Sequence, residues 1–258
     1  MFDFQHFHFL KKLVLPRPIQ FHWVEKTTST NDVLKNLTRT HNLQNPYALL
    51  AKQQTAGRGT KGKTWCSQQE ALMFSLAYPL KYQHNLPFLS LLTGLSVLQT
   101  LAQHQIPLQL KWPNDLFYAQ AKLGGILCEI TRNVCIIGIG INITMPPISI
   151  TTQGWPITSL QEAGYPHNYH SPEIAHLWFN LVFHLVTQLD NLPYISIPEF
   201  ITKWNRADLL YQKPLRFSVA NADSNQLGIG QGINTLGRYQ ILTEQGIQSF
   251  HDITIFPY

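Results

Sequence analysis

Cysteine and charge are both scarce in this 258-residue chain, and each shortage removes a class of explanation. The three cysteines, Cys66, Cys128 and Cys135, are an odd number in a long sequence, so no disulfide framework is expected. No CxxC pair occurs and the histidines are scattered, which argues against a zinc site. No apolar run approaches the ~20 residues of a membrane-spanning helix. The phenylalanine-rich start, MFDFQHFHFLKKLVLPRP, lacks the basic leader, continuous apolar stretch and small-residue cleavage site of a secretory signal. Packing against the body is its simplest role. A cytoplasmic protein with no membrane partner is therefore expected.

What is present is core material. The sequence is 44% hydrophobic and only 13% charged, too apolar for a disordered chain. Its 19 basic and 14 acidic residues leave a net charge of +5. A mild basic excess suits phosphate-bearing or acidic partners, but it is weaker than the dense Lys/Arg footprint of a dedicated nucleic-acid binder.

Periodicity divides the chain in two. IQFHWVE (19–25), PYALLAKQQ (46–54) and ALMFSLAYPL (71–80) read as strands. STNDVLKNLTRT reads as a helix capped by Ser29 or Thr30, and residues 86–104 as a long apolar helix. LQLKW (108–112) is a short strand running into the turn residues PND. KLGGILCEI and VCIIGIGINIT form a hairpin around residues 131–133. Residues 144–170 read as loop, and two helices follow, the first opened by Ser171-Pro172, the second over 196–210. After Pro214 come short strands with turn signals, the pattern of a small β-barrel. The body does not alternate βαβα, so an α+β fold with a mixed or antiparallel sheet is expected over residues 1–210, with an all-β unit over 211–258.

Three segments carry chemistry. TAGRGTKGKTW (55–65) combines Arg58, Lys61 and Lys63 with Gly57, Gly59 and Gly62. Cations beside bare backbone can fold over a phosphate or an adenylate, whereas a solvated hairpin is the plain alternative. The run is not expected to be a P-loop. In KWPNDLFYAQAKLGGILCE, Lys111 and Lys122 flank a turn carrying Asn114 and Asp115, and Lys122 precedes Gly124-Gly125 in an apolar strand. Glycines there mark a bulge or a ligand lying on the strand; a surface ion pair is the alternative. In GIGINI, Gly138 and Gly140 share one face, giving either a flat pocket floor or tight sheet packing.

Taken in order, STN (29–31), QTAGRG (54–59), KWPNDL (111–116), KLGGILCE (122–129), GIGIN (138–142) and QGWPITSLQEAG (153–164) closely resemble the biotin–protein ligase family. The resemblance covers roughly residues 20–258. It implies a catalytic domain related to class II aminoacyl-tRNA synthetases and a C-terminal SH3-like β-barrel. It also implies a two-step reaction: biotin and ATP, with magnesium, give biotinyl-5′-AMP, which a lysine of a biotin carboxyl carrier domain then attacks. By motif, Ser29, Thr30, Asn31 and Gln54 are implied at the ureido end of biotin. Gly59, Trp65, Gly124 and Gly125 join them as biotin contacts. Lys122, Arg58 and Asp115 are implied as the catalytic set, with Lys122 touching both the biotin carboxylate and the α-phosphate. Asp115 is implied to hold magnesium or to position the attacking amine. On the nucleotide side the resemblance implies Arg58, Lys61, Lys63, Lys111, Asn114, Asn142 and Trp155.

Those roles make physical sense. A carboxylate attacking ATP brings two anions together, and cations with aligned amides must offset that repulsion. Two departures from the family pattern stand out. Thr60 occupies a position usually held by an arginine linked to retention of the adenylate, and Gln231 occupies a barrel position that is often basic. With fewer than 30 residues before Ser29, DNA binding is not expected. A lipoate–protein ligase and a basic nucleic-acid-binding module are the alternative functions, and both a monomer and a homodimer remain open.

Overall fold

Seven strands form the sheet on which everything else is built. The computed structural model describes residues 18–65, 70–145, 154–219 and 225–258. The phenylalanine-rich start and Cys66 lie outside the described residues. The strands are β1 (Gln20–Thr27), β2 (Tyr47–Gln54), β3 (Ala71–Pro79), β4 (Gln109–Lys111), β5 (Asp115–Tyr118), β6 (Ala121–Thr131) and β7 (Val134–Asn142). They lie in the order β1-β2-β3-β7-β6-β5-β4. Only β1 and β2 run parallel; every other pair is antiparallel, so the expected mixed sheet is what forms.

The parallel pair corrects one expectation. Helix α1 (Thr30–Thr40) crosses over from β1 to β2, so a βαβ unit does exist at this end of the sheet. Strand β5 is an addition. The short hairpin β4–β5 hides behind Trp112-Pro113-Asn114, where turn residues dominate the pattern and only four strand residues follow. The β6–β7 hairpin turns at residues 132–133, as expected, with Thr131 paired to Val134.

Burial explains why β3 and β7 sit at the centre. ALMFSLAYP is buried on both faces over nearly its whole length. Its alternation splits the core: Phe74 and Leu76 belong to the main cluster, whereas Ala77 joins Leu34, Leu49, Val134 and Ile136 in a smaller one beneath α1. Helices α2 (Leu89–Ala102) and α3 (Pro172–Asn191) pack together and fill the main cluster; each fully buried Leu or Phe there contributes about 1.5–3 kcal/mol. Helix α2 is apolar nearly all round, which fits its burial rather than a surface position.

After α4 (Ile197–Ala207) the chain forms β8 (Pro214–Val219), β9 (Gln226–Ile233), β10 (Tyr239–Thr243), β11 (Gly246–Phe250) and β12 (Ile253–Phe256). These pair antiparallel in the order β11-β10-β9-β8-β12, with β11 and β12 as edges. The expected all-β unit is thus a five-stranded antiparallel sheet, with no ladder between its edges among the described residues.

This second sheet shares the core of the body. Leu215, Phe217, Tyr239 and Ile241 belong to the main cluster. Trp112 Nε1 donates to the Gly237 carbonyl at 3.1 Å, and Trp155 Nε1 to the Ile255 carbonyl at 3.2 Å. Asp208 is the junction. Its backbone bridges to Leu110, and its carboxylate accepts from the Tyr239 hydroxyl at 2.8 Å and the Leu210 amide at 3.1 Å.

Burial pushes the Asp208 carboxyl up to about 7, against the lowering effect of those two hydrogen bonds. The sign follows directly. Between the ordinary carboxylate value near 4 and about 7 the folded chain keeps a proton that the unfolded chain has lost, so stability falls as pH rises through that window. Asp208→Asn should flatten this slope, and denaturant titrations of both proteins at several pH values between 4 and 8 will show it. Identical slopes in the two proteins would exclude Asp208 as the source.

Candidate active site

A cavity of about 260 Å³ opens where α1, the loop after β2, the face of the sheet and the tail of the second sheet converge. Its polar end is the start of α1. Ser29, Thr30 and Asn31 are all buried there. Ser29 makes no side-chain capping bond, so the first turn offers its amide end to the cavity. Gln54 Oε1 accepts from the Thr30 amide at 2.7 Å and from the Thr30 hydroxyl at 3.1 Å. Ser75 Oγ lies 2.6 Å from both Thr30 Oγ1 and Asn31 Oδ1, and donates its one proton to one of them. Asn31 Nδ2 donates to Glu129 Oε2 at 2.9 Å and, more weakly, to the Leu127 carbonyl at 3.4 Å.

Bare backbone makes the floor. A Cβ at Gly138 would stand 2.3 Å from Asn31 Oδ1, and one at Gly140 would stand 2.6 Å from the indole of Trp65. Gly125 also faces that indole, at 3.5 Å. Both readings of the glycine strand therefore hold at once, a flat floor and close packing. Gly124 points the other way: its Cβ would meet the Gly140 carbonyl at 2.4 Å, and it does not line the cavity.

The opposite end is cationic. Lys122 Nζ is 2.6 Å from Asp115 Oδ1, and Lys111 Nζ is 3.5 Å from Asp115 Oδ2. Lys111 is only 4% exposed, and burial lowers its pKa against the pull of Asp115. Lys63 is also lowered, first by burial and then by its neighbour Lys122. One carboxylate therefore serves two ammonium groups, with a third cation close by.

The loop between β2 and β3 spans both ends. It folds back on itself: the Gly59 amide donates to the Lys63 carbonyl at 2.7 Å, the Trp65 amide to the Gly57 carbonyl at 2.9 Å, and Arg58 bridges Thr64. Lys61 and Gly62 turn the corner with φ of 56° and 73°. Letter by letter, Gly57 to Thr64 does satisfy GxxxxGK[ST], but a P-loop must open a helix. Here the next described element is strand β3, so the sequence match is not matched by the structure.

Arg58 Nη2 reaches Asp32 at 2.8 Å and Glu129 at 2.5 Å, while Lys61 pairs with Asp252 in the turn between β11 and β12. Two buried donors in this region, Arg58 Nε and Trp65 Nε1, have no hydrogen-bond partner. Both residues line the cavity, so an acceptor in a bound ligand would satisfy them.

The structure brings together Ser29, Thr30, Asn31, Gln54, Arg58, Gly59, Lys61, Lys63, Trp65, Lys111, Asn114, Asp115, Lys122, Gly125 and Asn142 around this cavity. Asn114 and Asn142 already donate to backbone carbonyls, Ile126 at 2.8 Å and Thr158 at 3.0 Å. Trp155 does not line the cavity; it is buried behind Lys111, edge-on to Phe117. Gln231 is likewise absent from the lining, and the second sheet contributes residues 251–255 instead.

Sequence reading missed Ser75, Glu129, Asp32 and Asp252. Two signals were available: Ser75 is the one serine in an apolar strand, and Glu129 shares a face with Gly125 and Leu127 at period two.

Residues 23–145 match the family described as the biotin/lipoate A/B protein ligase family. The bifunctional ligase/repressor BirA of Salmonella typhimurium is 31% identical over 231 residues, covering 85% of this chain and 68% of that protein. Its Escherichia coli counterpart is 32% identical over the same shares. Among solved structures, a biotin protein ligase from Aquifex aeolicus in complex with biotin and ATP superposes with a TM-score of 0.78. The two are 28% identical, over 93% of this chain and 99% of that one.

The glycine floor generates a direct test. Gly138→Ala should destabilise the fold by about 1–3 kcal/mol, because its methyl group must displace the bonded Asn31 amide. Gly62→Ala meets no atoms within 4 Å and suffers only from its positive φ. Chemical denaturation of the two variants should rank Gly138→Ala as the more damaging; the reverse order would mean Asn31 is free to move.

Proposed function

Because the chain belongs to the biotin–protein ligase branch of the biotin/lipoate A/B protein ligase family, we propose that it activates biotin with ATP and transfers it to a lysine of a biotin carboxyl carrier domain. The observation that carries this reading is one slot with two chemically opposite ends. Hydrogen-bonding groups gather at the start of α1, and Lys111, Asp115 and Lys122 gather at the far end, with a glycine floor between and a cationic loop along the side.

In the first step a biotin carboxylate oxygen attacks the α-phosphorus of ATP. The bond from that phosphorus to the β-phosphate bridging oxygen breaks, and pyrophosphate leaves. Lys122 and Arg58 are proposed to face the negative charge that builds up between carboxylate and phosphate. Ser29, Thr30, Asn31 and Gln54 are proposed to bind the ureido ring, which carries two N–H donors and one carbonyl acceptor. The indole of Trp65 covers the apolar bicycle, and its unpartnered Nε1 supplies a donor beside the loop. Lys61, Lys63, Lys111, Asn114 and Asn142 are proposed for the nucleotide side, with Trp155 supporting Lys111 from behind.

In the second step the neutral amine of the acceptor lysine attacks the acyl carbon, the bond to the phosphate oxygen breaks, and AMP leaves. The folded loop keeps water from the mixed anhydride. Thr60, where the family usually has arginine, leaves one fewer cation to retain that intermediate.

Magnesium fits here only as a companion of the nucleotide. No group of three or more His, Cys, Asp or Glu able to hold a metal ion occurs among the described residues, and both Asp115 oxygens face ammonium groups. Asp115 would give the ion one carboxylate, with nucleotide oxygens and water completing the shell, and the ion would neutralise the departing pyrophosphate.

The reading divides the chain into a catalytic part, 1–210, and a smaller part, 211–258, whose turn at residues 251–252 walls one side of the slot. An acidic carrier domain would complement the net charge of +5. No helix among the described residues is long and apolar enough to cross a membrane; the cytoplasm is the proposed location. DNA binding is not part of the proposal.

Incubation with ATP, biotin and a carrier domain should yield covalent biotin. Lys122→Met should lower biotin-dependent ATP–pyrophosphate exchange at least about 100-fold while the melting transition stays cooperative. Wild-type exchange in that variant would remove Lys122 from the chemistry.

A further inference from the structure

We infer that Glu129, which does not itself line the slot, is the positioning residue that sets the hydrogen-bonding polarity of the ureido end and the placement of the loop arginine. The inference rests on the biotin-ligase reading. Glu129 lies on β6 two residues beyond Leu127 and four beyond Gly125, on the face turned toward α1. Its carboxylate joins three separate elements. Oε1 accepts from Lys35 of α1 at 2.8 Å. Oε2 accepts from Asn31 Nδ2 at 2.9 Å and from Arg58 Nη2 at 2.5 Å.

An ionised carboxylate is an acceptor only. It therefore dictates which end of the Asn31 amide turns toward it. With the NH2 group spent on Glu129 and the Leu127 carbonyl, Oδ1 stands over the bare Cα of Gly138 in the cavity floor, with Ser75 Oγ 2.6 Å away and a second lone pair for a ligand. An acceptor at that point suits the N–H donors of a ureido ring. A flipped amide would present donors to donors and repel it. The 3.4 Å contact to Leu127 is too long to fix the orientation alone, and the Ser75 hydroxyl, 2.6 Å from Oδ1, can donate or accept and so meets either end of the amide; the carboxylate decides it.

The same oxygen holds the guanidinium. Arg58 is gripped by Glu129 and Asp32 through Nη2, which leaves Nε buried, unpartnered and on a cavity-lining residue. Glu129 remains charged for this task. Burial pushes its carboxyl up, but hydrogen bonds from Lys35, Asn31 and Arg58 outweigh burial and hold it below the ordinary range.

Glu129→Gln is the informative change, because an amide of nearly equal shape accepts either orientation of Asn31. It should raise the KM for biotin about tenfold in the exchange assay while leaving the KM for ATP within about twofold. On an Asn31→Ala background the same change should cost biotin binding less than about twofold more, because its main route of action is gone. Glu129→Asp, which keeps the charge but shortens the reach, should fall between wild type and Glu129→Gln. A wild-type biotin KM in Glu129→Gln, or a full additional loss on the Asn31→Ala background, would overturn the inference. Absence of biotin-dependent exchange in the wild type would instead sink the functional reading beneath it.

Discussion

Two lysines share one carboxylate at the cationic end of the slot, and one of those lysines is almost wholly buried. Asp115 stands 2.6 Å from Lys122 and 3.5 Å from Lys111, so with both lysines protonated the trio carries one positive charge more than it can neutralise internally. Surplus charge away from water is unfavourable unless an anion joins it. The pKa of Lys111, lowered chiefly by burial, is the mark of that stress. A ligand that brings a carboxylate and a phosphate to the same point relieves it. The site is thus prepared for the moment when two anions must meet, which is the obstacle to forming an acyl-adenylate.

The fold exists, from this viewpoint, to hold a few charges at fixed distances. The β4–β5 hairpin carries Lys111 and Asp115 as a register pair, and β6 brings Gly125 opposite Asp115. Next to it β7 supplies the bare floor at Gly138 and Gly140, opposite Leu127 and Gly125. Helix α1, crossing between β1 and β2, directs its first turn at the other end of the same floor. Neighbouring strands therefore set the length of the slot, while the loop from Thr55 to Trp65 runs along its side. The loop is anchored on both sides: Arg58 to Glu129 and Asp32, and Lys61 to Asp252 of the second sheet.

Much of this was legible in the residues. Strand and helix patterns located most elements because each has a buried face with a clear period, as in β3 or α2. Gly138 and Gly140 marked one face as either a bare floor or a tight packing surface, because only glycine leaves room for both. The parallel β1–β2 pair was not legible, since strand direction depends on where the crossover helix packs. Strand β5 was masked by the turn residues before it. Glu129 escaped notice because a lone acid at the end of an apolar strand looks like a surface residue until Asn31, Lys35 and Arg58 are brought to it from distant parts of the chain. Trp155, whose motif suggested ligand contact, lies buried behind Lys111 and outside the cavity lining, a placement its motif did not disclose.

A crystal structure with a non-hydrolysable biotinyl-adenylate analogue tests the central claim most directly. The ureido ring should lie over Gly138 beside Asn31, and the oxygens bridging vitamin and nucleotide should lie within hydrogen-bonding distance of Lys122 Nζ and Arg58 Nε. An analogue bound with its phosphate remote from both, and Lys111, Asp115 and Lys122 unchanged around it, would contradict the account.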